Sequence, residues 1–360
     1  MGITDSANTK KTSTKYGEMS IPGMASVPAV KQYLDCAVAD GVDYLPVLAA
    51  AGIKQTLLED NNAVVAANAM QRLVVLLAEA TGDACLGLHA ASYVEPASYS
   101  VLGYISMNCR NLREVLAKIP IYEKIVGDMG ISSTTEMPGH VLQRWQCHFT
   151  QPLARRHEVE TVIASWHKYA RNILHVDPAF ADQIWFEHGP PEDSAHLQTY
   201  GETFGCQVRF NQQASGILVR SDMLDQPLPQ ANEKLLHTLL DYATQTILEL
   251  DSNQSVTEQV KDLLRLMLKE TPPSSTLIAE KLGMGNRTLQ RKLLEEGTHY
   301  KDVLNELRLE LALHYLKNTR LSLETIAEKL GYAEARSFYR SFKQWTGRTA
   351  GSYRSEHGDS

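Results

Sequence analysis

Ile278-Ala279-Glu280-Lys281-Leu282-Gly283 returns unchanged as Ile326-Ala327-Glu328-Lys329-Leu330-Gly331, an offset of 48 residues. Each copy reads as a short helix stopped by glycine, the residue that most readily takes the left-handed conformation of a tight turn. Ser275 and Ser322 stand where an N-cap is expected. An arginine-bearing helix follows each copy: Asn286-Arg-Thr-Leu-Gln-Arg-Lys-Leu-Leu294 in the first, Ala335-Arg-Ser-Phe-Tyr-Arg-Ser-Phe-Lys343 in the second. Leu289 with Leu293, and Phe338 with Phe342, recur four residues apart and face a core. That leaves Arg287, Gln290 and Arg291, and correspondingly Arg336, Tyr339 and Arg340, pointing outward.

Helix, glycine turn and basic second helix is the helix-turn-helix plan, in which the second helix enters the major groove of DNA. Arginine bonds guanine in a bidentate way and glutamine does the same with adenine, so the outward side chains are of base-reading type. The competing reading is a helical repeat array with solvated faces. Arrays generally need three or more copies to bury their faces, and the hexapeptide occurs twice. Between the units, residues 300–318 carry Val303, Leu304, Leu307, Leu311, Leu313 and Leu316 as a long apolar stripe. As a helix this stretch spans roughly 28 Å, close to the ~34 Å between successive major-groove faces.

Working outward, 360 residues with 43% hydrophobic content suffice for two cores. The net charge of −7 is unevenly spread. From Asp251 onward there are 17 Lys and Arg against 15 Asp and Glu, whereas the first 250 residues hold 18 against 27. The acidic balance therefore belongs to the N-terminal part, and the C-terminal part is mildly basic.

Residues 1–26 are rich in Ser, Thr, Lys and Gly and read as a disordered tail. A regulatory domain is expected over 27–228, helical to about 125. It then turns mixed α and β, with strands at 140–149, 183–187, 206–210 and 216–220 and a helix at 152–174. A linker helix is expected within 229–254, and a DNA-binding domain over 255–354. The expected fold class is α+β: a mixed α/β N-terminal domain followed by an all-α domain with two helix-turn-helix units on a long helix. In the linker helix, Leu236, Leu240, Ala243, Ile247 and Leu250 fall at a/d spacing. That pattern suits either packing within the chain or a homodimer seam.

No stretch approaches 18 uninterrupted apolar residues, and the N-terminus lacks the apolar core of a secretory signal, so a cytoplasmic protein without a membrane span is expected. Cys36, Cys85, Cys109, Cys147 and Cys206 form no C-x-x-C pair and read as buried thiols. Phosphate-loop, nucleophile-elbow and H-E-x-x-H motifs are missing from the sequence, so no catalytic residue, cofactor or metal is expected. His148, His157, His167 and His175 are close in sequence but scattered by strand and helix phase. They read as structural histidines. Arg144, Arg155, Arg156 and Arg171 are candidates to face an anionic effector, against the reading of a solvated face. Trp145, Trp185, Phe186 and Tyr200 are candidates to line a pocket, against ordinary core packing. From these, Arg144, Trp145, Arg171 and Tyr200 are taken as the effector-site candidates.

Residues 255–354 resemble the DNA-binding domain of the bacterial AraC/XylS family. The resemblance is carried by Gly331-Tyr332, Ser337-Phe338-Tyr339-Arg340-Ser341-Phe342-Lys343, Gly347 and Tyr353-Arg354. Two departures stand out: Ala350 replaces the usual proline after Thr349, and Arg336 replaces a small or polar residue. Residues 48–53, Thr81-Gly-Asp83, Leu86-Gly-Leu88, Leu102-Gly-Tyr104, Leu112-Arg-Glu114, Phe204-Gly205 and 224–229 resemble the arabinose-binding-like regulatory domain of one branch of that family. By resemblance, Arg287, Gln290, Arg291, Arg336, Tyr339 and Arg340 read bases and Lys343 holds a phosphate. Ile278, Leu282, Ile326, Leu330 and Trp345 belong to the core. The resemblance further implies promoter DNA, RNA polymerase and a small-molecule effector of unknown identity as partners, and activation as the effect. The alternative is an alkyl-transfer enzyme fused to a DNA-binding module.

Overall fold

The computed structural model describes residues 23–176, 180–250, 255–268, 273–319 and 321–357. The chain runs β1 (Met24–Ser26), α1 (Val27–Ala39), α2 (Tyr44–Ala51), β2 (Val64–Ala66), α3 (Ala67–Thr81), α4 (Leu86–Ala90), α5 (Ser100–Asn108) and α6 (Leu112–Val126). There follow β3 (Gly130–Met137), β4 (His140–Cys147), α7 (Pro152–Leu174), β5 (Gln183–Trp185), α8 (Ser194–Phe204), β6 (Gln207–Arg209), β7 (Gly216–Arg220) and α9 (Ser221–Leu224). After α10 (Glu233–Leu250) come α11 (Val256–Met267), α12 (Ser275–Lys281), α13 (Asn286–Glu295), α14 (Tyr300–Asn318), α15 (Leu323–Lys329), α16 (Ala335–Thr346) and α17 (Ala350–His357).

The last residues of the expected disordered tail are ordered. Residues 24–26 are a strand, paired antiparallel with β2, while residues 1–22 lie outside the described residues. The main sheet has the order β3-β4-β7-β5-β6, antiparallel except for the parallel β5 and β6 pair. On β4, Val141, Gln143, Trp145 and Cys147 alternate onto one buried face, because successive side chains of a strand point to opposite sides. Helix α7 packs on α4, α3 and β4 and carries two buried acids. Glu160 accepts from Arg156 Nε at 2.8 Å and from the Tyr200 hydroxyl, and Glu158 accepts from the Tyr33 hydroxyl at 2.9 Å. Burial pushes Glu158 up to about 7, with the Tyr33 hydrogen bond opposing it. Gly87 makes the close packing of α4 on α7 possible, since a Cβ there would sit 2.3 Å from the His157 carbonyl oxygen.

Helix α10 packs on α5 and α6, and Leu236, Ala243 and Ile247 are buried within the N-terminal core. Its apolar spacing thus serves packing within the chain. Leu250's side chain and residues 251–254 lie outside the described residues.

The C-terminal part holds two further cores on one helix. Val303, Leu304 and Leu307 of α14 join Ile278, Leu289 and Leu293 in the first, whereas Ala312 and Leu316 join Ile326, Phe338 and Phe342 in the second. The long stripe is therefore divided, each half of α14 serving one unit. Separate contacts hold each unit. Glu296, at the end of α13, accepts from the backbone nitrogens of Val256 and Thr257 at 2.7 and 2.8 Å, filling the open donors at the start of α11. In the second, Arg308 of α14 donates from Nε and Nη2 to the carbonyl oxygens of Leu330 and Gly331, both at 3.0 Å. Its guanidinium also lies 4.1 Å from the centre of the Tyr332 ring. Arg308 is 9% exposed, and burial lowers its affinity for its proton. Replacing it with alanine should cost the second unit about 3 kcal/mol, because two buried carbonyls lose charge-assisted donors. Amides of α15 and α16 are then expected to exchange about 100-fold faster while those of α12 and α13 keep their protection, as native-state hydrogen exchange reads directly.

Candidate nucleic-acid interface

The duplicated hexapeptides occupy α12 and α15 and the turns that follow. Ser274, not Ser275, caps the first: its Oγ accepts from Leu277 N at 3.2 Å, so Ser275 is already the first helical residue. Ser322 caps the second as expected, accepting from Thr325 N at 3.0 Å. Gly283 and Gly331 have φ of 66° and 70°, in the left-handed region. Both turns thus take the conformation for which glycine carries no Cβ penalty. Helix α17 starts at Ala350 despite the missing proline, with Thr349 Oγ1 accepting from Ser352 N at 3.2 Å.

On α13, Leu289 and Leu293 are fully buried and Arg287, Gln290 and Arg291 are exposed. On α16, Phe338 and Phe342 are fully buried and Arg336, Arg340 and Lys343 form an exposed stripe. Among the predicted core residues, Ile278, Ile326 and Leu330 are buried, whereas Leu282 and Trp345 are half-buried. Two of the outward side chains already have protein partners. Arg291 lies 3.8 Å from Glu295 with both groups well exposed, a contact of little energetic weight. Tyr339 is half-buried, and its hydroxyl donates to Glu324 Oε1 at 2.8 Å. That bond holds the Tyr339 proton, raising its pKa, and lowers that of the Glu324 carboxyl. Ser337 and Gln344 are also exposed beside the α16 arginines, and in the sequence neither type stands out from an ordinary solvated face.

An ion network ties the first unit to α14 and to the N-terminal part. Arg265 on α11 donates to Asp262 at 2.9 Å and reaches Glu310 of α14 at 3.0 and 3.1 Å, while Asp262 also meets Lys124 of α6 at 3.4 Å.

The four candidate effector residues do not come together. Trp145 lines an apolar cavity of about 160 Å³ between α5, α6, α7 and the sheet; Arg144, Arg171 and Tyr200 are not among its lining residues. Arg144 projects from the opposite face of β4, because it neighbours Trp145 on a strand. Tyr200 sits in an aromatic cluster with Phe186 and Phe210 and bonds Glu160. Arg155 and Arg156 are paired with Glu187 at 3.0 Å and Glu160 at 2.8 Å. Among the described residues one group could offer three metal ligands, Cys36, Asp40 and Asp83. Asp83 is already bonded to His89 Nδ1 at 2.7 Å, and burial pushes the Cys36 thiol up to about 12.

Residues 41–228 match the family described as the arabinose-binding domain of AraC transcription regulator, N-terminal, and residues 278–356 match a helix-turn-helix domain. The chain belongs to the AraC family of transcription regulators. It is thus a DNA-binding regulator, and α12–α13 and α15–α16 are its helix-turn-helix units. The ornithine utilization regulator of Pseudomonas aeruginosa is 25% identical over 331 residues, which cover 92% of this chain and 96% of its own. VirS, a transcriptional regulator of Mycobacterium tuberculosis, is 34% identical over 159 residues, 44% of this chain and 46% of its own. A solved structure of the transcriptional regulator CdpR from Pseudomonas aeruginosa aligns with a TM-score of 0.46 at 20% identity, covering 90% of this chain and 98% of its own.

Contacts to phosphates position a protein without reading sequence, and that is the role expected of Lys343 in the last turn of α16. Lys343→Ala should therefore weaken binding to every duplex alike and reduce the slope of log K against log salt by about 0.9. Fluorescence titrations at several salt concentrations measure that slope.

Proposed function

We propose that this regulator docks as a monomer with α13 and α16 in two successive major grooves and reads an asymmetric site. Arg287, Gln290 and Arg291 meet bases in one groove, Arg336 and Arg340 in the next, with Tyr339 beside them and Lys343 on a phosphate. The observation that carries this reading is α14. One helix of 19 residues supplies side chains to both cores, so the two reading helices sit on a common rod about as long as the step between grooves.

The N-terminal unit is the effector-sensing part, and its route to DNA is the junction of α6 with α11. Lys124 meets Asp262 there, and Leu266 packs against both the N-terminal core and the first helix-turn-helix core. An effector that favours one arrangement of that junction changes the fraction of molecules able to seat both units at once. The protein acts in the bacterial cytoplasm, as an activator that meets RNA polymerase at the promoter, in keeping with the family it resembles.

The enzyme alternative needs a reactive thiolate. Burial raises the Cys85 thiol and pushes Cys36 and Cys147 up to about 12 and Cys206 to about 11, the reverse of what a nucleophile requires. Leu236, Ala243 and Ile247 of the α10 seam are buried within the chain, which favours packing there over a homodimer.

For the DNA reading, Arg291→Ala combined with Arg340→Ala should weaken binding to a selected duplex by about 100-fold or more, since each bidentate base contact contributes ~1–3 kcal/mol. Gel-shift titration decides it, and unchanged affinity would show that these arginines do not read the site.

A further inference from the structure

The cavity beside Trp145 has two properties that ordinary packing does not explain. Protein interiors contain few voids larger than a water molecule, yet about 160 Å³ lies open between α6, α7 and the sheet. Into the same space Val141, Gln143 and Trp145 project from alternate positions of β4. Gln143 is 5% exposed, and neither its carboxamide nitrogen nor its carboxamide oxygen has a hydrogen-bond partner in the protein. A buried amide with both ends unpaired destabilises the fold, and a ligand head that donates and accepts removes that cost.

We infer that this cavity is the regulator's effector site and that it takes small, uncharged, mostly apolar molecules whose single polar head both donates and accepts a hydrogen bond at Gln143. The inference rests on the reading of the N-terminal unit as effector-sensing and gives that unit its site and ligand class.

Size follows from the volume. A cavity of this measure holds one six-membered ring or a chain of about six to eight carbons. Charge follows from the lining, which contains no Lys, Arg or His and one acidic residue, Glu123. An anionic head would meet that carboxyl with no cation to offset it. Glu123 accepts from Ser132 N at 3.2 Å, and burial pushes it up to about 7, so near neutrality the wall itself is only partly charged. A permanently charged ammonium head would need a fully ionised partner in a dry site, which burial opposes. The apolar remainder of a ligand would lie against Val162, Trp166 and Ile217. Glu123 also precedes Lys124, whose ammonium meets Asp262 of the DNA-binding part, so α6 both lines the cavity and makes the junction that the effector must influence.

The expectation that Arg144 and Arg171 receive an anionic effector gives way to this one, since neither lines the cavity.

Benzamide is the probe, titrated calorimetrically into the full-length chain at pH 7.5 without DNA and followed in parallel by tryptophan fluorescence, because Trp145 and Trp166 line the site. Saturable one-site binding is expected, at least tenfold tighter than that of benzoate or benzylammonium. Gln143→Leu should weaken benzamide by about tenfold while melting at the same temperature as the parent or higher, since it removes two unpaired buried polar atoms. Val162→Phe, which fills the cavity, should abolish binding. The inference is overturned if the parent does not bind benzamide, if Gln143→Leu binds it as tightly as the parent, or if the anion or the cation binds most tightly. DNA is absent throughout, so failure here leaves the groove-reading proposal standing, and failure of that proposal leaves this titration unaffected.

Discussion

Arg308 is the contact on which the geometry of the DNA-binding part depends. It sits in the middle of α14 among leucines that belong to the first core, and it reaches across to the carbonyls that end α15. A helix C-terminus leaves carbonyl oxygens without partners inside the helix and carries partial negative charge, so a buried guanidinium answers both needs at once. The planar fork suits two adjacent carbonyls in a way that an ammonium does not. Because α14 also carries half of the second core, the α15–α16 unit is held at one angle on the rod. Glu296 does the corresponding work for the first unit, from the end of one reading helix to the start of a scaffold helix.

Much of this was legible in the sequence, for a specific reason: the hexapeptide recurrence and the i, i+4 leucine and phenylalanine pairs are local patterns, and local patterns set helices and turns. The spans of α7 and α14 agree with the apolar periodicity read for them. Strand β3 has no signature in the sequence, because Ser132-Ser-Thr-Thr-Glu136 shows no apolar alternation. It is an edge strand, and pairing with β4 rather than burial of alternate side chains makes it a strand. Strands β1 and β2 have three residues each, too few for any period to show. Arg308 left one trace, a cation inside an apolar stripe, but its partners lie more than twenty positions away.

The effector site was the least legible part. Arginines and aromatics stand out as residue types, yet Arg155 and Arg156 are paired with acids, Arg144 and Arg171 do not line the cavity, and Tyr200 is committed to the Glu160 network. What marks the cavity is an absence of partners around Gln143, which depends on how α6, α7 and the sheet meet and has no sequence signature. The two kinds of buried polar group in the N-terminal unit thus differ in kind. Glu158 and Glu160 are satisfied and fasten α7 to its neighbours, whereas Gln143, on the cavity wall, has a carboxamide without a partner.

The central claim is that one rigid rod sets the spacing of the two reading helices on DNA. The most direct measurement is the affinity for a duplex selected from a random pool, compared with the same duplex carrying five extra base pairs between the two protected segments. Half a helical turn moves the second groove to the opposite side of the duplex, so affinity should fall by about 100-fold, to the level of a random sequence. Equal affinity for both duplexes would mean that the two units dock independently and that α14, with Arg308, does not set the spacing.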